Sequence, residues 1–400
     1  MVLLFAAAAL TLTVALMPRP AAAAGPASPD CRFRVEEVAV PAFDDASSIW
    51  GATGTDGAGR LWVGVSAHDP GGSAHLMRLA PDGASLQDAG AVNGHLQALG
   101  LARPGEGQVK IHSRLEPAAD GWVYFTSMDE AGEREDGSAL PRWGSHLWRV
   151  DPASARWEHV LAAPEGLVAL GVAGHHVHAL GYWNHVLLHL DLRDGRVTRT
   201  VVGAVGGHAS RNLVVDGRGR AFVPRVRRAG DGTLQAELAE FVPGRGEVAA
   251  TALPGYFRGE TPEANHGVVA VLRLADGGAL FTTHHGELHR IHPEGDGPSR
   301  VEALGPVHPA GPSYAPSLFA LGPPDRVAAV ARTARGFQWV VRDLGGGACA
   351  ADLDLGGRRD VLLYGSMAGE PGGGFYLGGW QRRDEAGGHR PLLLRVRPGD

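Results

Sequence analysis

The chain has 400 residues, 37 of them basic and 43 acidic, a formal net charge of −6 and 44% hydrophobic residues. So high a hydrophobic fraction with so small a net charge excludes a disordered chain, and an acidic balance without any basic stripe argues against nucleic acid as a partner. Fifty-nine glycines and 27 prolines, with little helical periodicity, suit many short strands joined by tight turns.

The N-terminus, "MVLLFAAAALTLTVALMPRPAAAAG", carries an apolar run from Val2 to Met17 and then an alanine-rich stretch. It reads as a secretory signal over residues 1–24, with A-x-A cleavage options ending at Ala23 or Ala24. An uncleaved anchor is the competing reading, but sixteen apolar residues fall short of the roughly twenty that a span needs. Removal of this segment leaves no membrane span and implies a secreted or periplasmic protein. There the two cysteines, Cys31 and Cys349, form an even pair suited to one disulfide.

Residues 33–40, "FRVEEVAV", follow as an isolated strand. From there the chain repeats a turn leading into a strand: "DGAGRLWVGV" (56–65), "DGWVYFTS" (120–127), "DGRGRAFVPR" (216–225), "DGGALFTT" (276–283) and, more loosely, "EPGGGFYLGGW" (370–380). A second strand follows each, as in "HLMRLAPDG" (75–83), "HLWRVDPAS" (146–154) and "ELHRIHPEG" (287–295). Alternating apolar residues bounded by Asp-Gly or Pro-Gly indicate hairpins, and four short strands at a period of 45 to 50 residues mark a β-propeller blade. Seven units begin near residues 47, 95, 165, 207, 257, 310 and 358. A six-blade count stays open because the sixth unit is degenerate.

The last unit shows three strands, and residues 33–40 can supply the fourth, joining the two ends of residues 32–400 as a single all-β, seven-bladed propeller without exposed edges. That closure brings Cys31 near Cys349 at the outer part of the sixth blade. A disulfide closing so long a loop stabilises by about 5 kcal/mol in the chain-entropy model.

Two segments, "KIHSRLEPAADGWVYF" and "GGHASRNLVVDGRG", place His112 and His208 eight residues before the turns at Asp120 and Asp216. The same offset gives Ser48, Val268 and Ser317 in other blades. These positions open the innermost strands, which line a propeller's channel. A polar ring follows: His112, His208, His266, Tyr314 and Tyr364, with Arg114 and Arg211 alongside. The bland alternative is that such residues only hydrogen-bond to backbone carbonyls and water. An insertion in the second blade, residues 128–144, is too long for an ordinary hairpin and could carry Trp143 over the channel mouth to stack on a ligand. No HExxH, G-x-S-x-G or paired-cysteine zinc spacing occurs.

With this blade rhythm the chain resembles secreted β-propellers of the broad YVTN, gluconolactonase-like and virginiamycin-lyase-like group. The resemblance does not fix a function, but the His, Tyr and Arg ring suits an enzyme on an anionic or carbohydrate-like substrate, a lyase or hydrolase, which the resemblance permits. It also permits a divalent transition metal, since some propeller lyases hold one through axial histidines. In that scheme His112, His208 and His266 are metal ligands, and His208, Tyr314 and Tyr364 carry catalysis. Arg114, Arg211 and Trp143 bind the substrate. The rival is a non-catalytic scaffold that binds a protein or glycan partner across its face.

Overall fold

A computed structural model of the chain describes residues 30–134, 138–322, 325–358, 360–366, 368–370, 373–383 and 388–399. The expected signal at 1–24 lies outside these residues. Seven antiparallel four-stranded sheets form a ring, and only 3% of the chain is helical. The sixth sheet is complete, with strands Tyr314–Ala320, Arg326–Thr333, Gly336–Asp343 and Ala348–Asp352, so the blade count is seven.

The inner strands start at residues 46, 116, 166, 214, 268, 314 and 361. The unit starts read from the sequence at 95, 207 and 257 therefore lie in the connections leading into a blade. The first inner strand is broken: Ala46–Ser48 and Thr53–Thr55 both pair with Leu61–Ala67, leaving Trp50 and Gly51 in the gap between them.

Local chemistry explains the repeated Asp-Gly turns. The Asp56 carboxylate accepts the amides of Ala58 and Arg60, and Asp216 accepts those of Arg218 and Arg220. Each is an Asp side chain bonding its own backbone two residues on. At Asp120 and Asp276 the next residue, Gly121 or Gly277, takes a φ of 84°, which a residue with a Cβ adopts only with strain.

Burial grades outward along each blade. In the third, strand Gly166–Ala173 is wholly buried and the outermost strand, Arg196–Val201, is wholly exposed. The core is accordingly a set of layers between neighbouring blades: Trp62, Leu76, Phe125 and Trp148 join the first to the second, and Phe319, Trp339, Phe375 and Leu392 join the sixth to the seventh. Ring closure rests on the strand Phe33–Glu37, which pairs antiparallel with His389–Pro398 from Phe33↔Pro398 to Glu37↔Leu394. Beside it Cys31 is disulfide-bonded to Cys349, on the outer strand of the sixth blade, 318 residues away in sequence. No helix among the described residues is long and apolar enough to cross a membrane.

Candidate functional site

Residues around the inner strands' upper ends meet at one channel mouth: His112, Arg211 and His266 just before a strand start, Tyr314 at one, Tyr364 just after Val361–Leu363, and Trp50 in the gap of the first. There a cavity of ≈ 30 Å³ is lined by Trp50, His112, Arg211, Asn212, His266, Tyr314 and Tyr364, with Arg114 reaching it from deeper in the channel. Its floor is backbone. A Cβ on Gly365 would lie 2.8 Å from the Pro316 carbonyl oxygen and 3.1 Å from that of Val269, and one on Gly51 would lie 2.7 Å from the Gly365 carbonyl oxygen. Backbone of four consecutive blades, the fifth, sixth, seventh and first, thus packs closely beneath this cup.

Arg211 is the centre of the cup. It is half-buried, and among the described residues its guanidinium makes no hydrogen bond, ion pair or ring contact. A guanidinium is always charged and only donates. Around it stand neutral groups. Burial, and next the Arg211 charge, push His112 and His266 down to about 3. Burial pushes Tyr314 up to about 12 and raises Tyr364, so both hydroxyls keep their protons. His266 Nδ1 is 3.2 Å from the Tyr314 hydroxyl, and the Tyr364 oxygen accepts the Trp380 indole N–H at 3.1 Å.

Further polar groups stand on the second and third blades. The Lys110 ammonium lies 4.4 Å above the Trp50 ring and pairs with Glu130. Glu133, on the second-blade insertion, accepts the Tyr182 hydroxyl at 2.6 Å, and burial raises its carboxyl to about 7.

The structure brings together six of the eight residues singled out from the sequence: His112, Arg114, Arg211, His266, Tyr314 and Tyr364. His208 lies elsewhere. It is fully buried, with Nδ1 3.0 Å from the Pro262 carbonyl and Nε2 2.9 Å from the Tyr256 hydroxyl, both on the connection into the fifth blade. Gly206 and Gly207, with φ of 60° and 74°, turn the chain just before it, so the eight-residue offset does not preserve the direction of the ring. Trp143 also stands apart, its indole N–H on the Gly105 carbonyl and its ring 5.0 and 4.8 Å from the Arg103 and Arg142 guanidiniums.

Among the described residues no three His, Cys, Asp or Glu side chains form a group that could hold a metal. The expected ligand set does not fit one: both His208 nitrogens are bonded within the protein, and the Arg211 charge acts on both His112 and His266.

Trp50 and Asn212 were not legible as site residues. Trp50 follows Ser48 by two, as Arg114 follows His112, and that spacing was the available signal.

No protein-family model and no curated protein matches the sequence. Solved structures are similar in fold. A protein of unknown function from Dyadobacter fermentans is 13% identical, with a TM-score of 0.53 over 92% of this chain and 99% of that one. The β-propeller domain of Cps50 (Swd1) from Myceliophteria thermophila is 11% identical, with a TM-score of 0.51 over 88% and 97%. The periplasmic gluconolactonase of Pseudomonas aeruginosa is 18% identical, with a TM-score of 0.42 over 88% and 96%. The fold and site together define a seven-bladed β-propeller with a polar cup at its channel mouth.

Proposed function

We propose that this is an exported propeller whose cup captures the acid group of a small anionic ligand, such as a carboxylate-bearing sugar derivative. The observation that carries this reading is Arg211: a cation at the mouth of a closed channel, ringed by neutral imidazoles and phenols, with no carboxylate of the described residues to balance it. An uncompensated charge in a partly buried site favours an anionic ligand there. Export is supported by the Cys31–Cys349 disulfide, a bond that persists in oxidising compartments.

One observation favours chemistry beyond capture. The His266–Tyr314 hydrogen bond next to Arg211 is the kind of pair that could move a proton beside a bound carboxylate, as a lyase requires.

The test is equilibrium binding, followed by tryptophan fluorescence, of acetate, galacturonate and uncharged galactose to the wild type and to Arg211→Ala. The acids should bind, galactose should not, and the variant should lose about tenfold or more in affinity, the worth of a charged hydrogen bond. Equal binding of galactose, or no effect of the variant, overturns the reading and leaves a scaffold with a partner elsewhere.

A further inference from the structure

The hydrogen-bond roles of the cup walls are fixed by partners behind them. His112 Nδ1 lies 2.9 Å from the Val168 carbonyl oxygen, which can only accept. Nδ1 therefore carries the hydrogen, and Nε2 of the neutral ring is a bare lone pair. Asn212 gives its Nδ2–H to the Val269 carbonyl at 2.7 Å, which makes its Oδ1 an acceptor as well. Three other groups are donors. The Tyr364 oxygen already accepts the Trp380 N–H, so its hydrogen is left to give. The buried Trp50 Nε1 has no partner among the described residues and can only donate, as does Arg211.

A plain carboxylate accepts only. It answers Arg211 and Tyr364 and leaves the His112 lone pair and the Asn212 oxygen facing no hydrogen. Buried polar groups without partners cost free energy, so a ligand that also donates is preferred. The cavity of ≈ 30 Å³ is small, which limits what enters to the head group of a ligand.

We propose that the cup selects a carboxylate bearing a hydroxyl on the neighbouring carbon, the carboxylate on Arg211 and the hydroxyl hydrogen given to His112 Nε2. This rests on the anion-capture reading above and narrows it to a ligand class. Burial and the Arg211 charge keep His112 neutral at physiological pH, so its lone pair is present there. Monohydrogen phosphate shares the chemistry of an oxyanion with one O–H, and sulfate does not.

The test is calorimetric titration with glycolate, acetate, phosphate and sulfate of the wild type, His112→Phe and His112→Gln. Glycolate should bind about tenfold or more tightly than acetate, as expected where a site built for a hydroxyl meets a ligand lacking it. His112→Phe should bring that ratio near one, and His112→Gln, which keeps a carbonyl acceptor, should restore part of it. Equal binding of the two acids by the wild type, or an unchanged ratio in His112→Phe, overturns the selectivity while leaving anion capture intact. Phosphate outcompeting glycolate assigns the cup to phosphate and overturns the hydroxy-carboxylate. Binding of none of the four anions overturns capture and selectivity together. Should His112→Phe fail to fold, nitrogen-15 NMR of wild-type histidines decides: His112 should carry its proton on Nδ1, and a proton on Nε2 overturns the proposal.

Discussion

Two levels of the channel use arginine in opposite ways. Below the cup, Arg114 of the second blade, whose side chain also reaches the cup, and Arg273 of the fifth each lie 2.8 Å from an oxygen of Glu116, which also accepts the Val172 amide of the third blade at 2.8 Å. One carboxylate thus ties three blades together. In the cup Arg211 has the same side chain and no such carboxylate among the described residues. An arginine whose charge is answered within the fold is a structural tie, and one whose charge is left open is free to answer a ligand.

The largest expected effect comes from breaking the paired level. Glu116→Gln leaves Arg114 buried without its counter-charge and should cost about 3 kcal/mol of unfolding free energy in urea titration. Acid binding in the cup should be retained, because Arg114 lines the cup and keeps its charge. A loss of binding equal to that of Arg211→Ala would show that the two levels are not separate.

His208 sharpens the same contrast. It belongs with the structural ties, so His208→Ala should cost about 2 kcal/mol by leaving the Pro262 carbonyl and Tyr256 hydroxyl without their partner. Affinity for acetate should hardly move in the folded variant. Loss of binding without loss of stability would return His208 to the site.

The levels should also separate by pH. His112 and His266 sit at about 3 in the fold, through burial and then Arg211, against about 6.5 unfolded. The unfolded chain therefore binds their protons first. Their stability is full above about pH 6.5 and is lost as pH falls toward 3, each by up to about 1.4 kcal/mol per pH unit. Glu116 behaves differently: burial opposes ionisation, but Arg114 and then Arg273 hold its carboxyl below the usual range. Its contribution is present above about pH 4.3 and is lost only as pH falls below that. Unfolding titrations should show the slope between pH 6.5 and 4.5 reduced by about two protons in a His112→Gln/His266→Gln variant and unchanged in Glu116→Gln. A reduced slope in Glu116→Gln over that window would contradict the assignment.

The propeller was legible because its signals are local. Asp-Gly turns are written by an Asp bonding its own backbone, and strand burial by alternation, so period and blade number follow from neighbours in sequence. The closing strand and the Cys31–Cys349 pairing followed from a blade with one strand too few. The site was legible only where direction was preserved from blade to blade. It held for His112, whose segment enters its strand directly. It failed at His208, where two left-handed glycines turn the ring into the next blade and Arg211, three residues on, takes the mouth. Trp50 escaped because the first inner strand is broken around it, and the backbone floor at Gly51 and Gly365 depends on blades far apart in sequence.

The most direct measurement is a high-resolution crystal structure of the protein grown with glycolate. The account predicts a carboxylate on the Arg211 guanidinium at the channel mouth, with the glycolate hydroxyl on His112 Nε2. Arg211 folded back onto a protein carboxylate, with no anion in the cup, would contradict it.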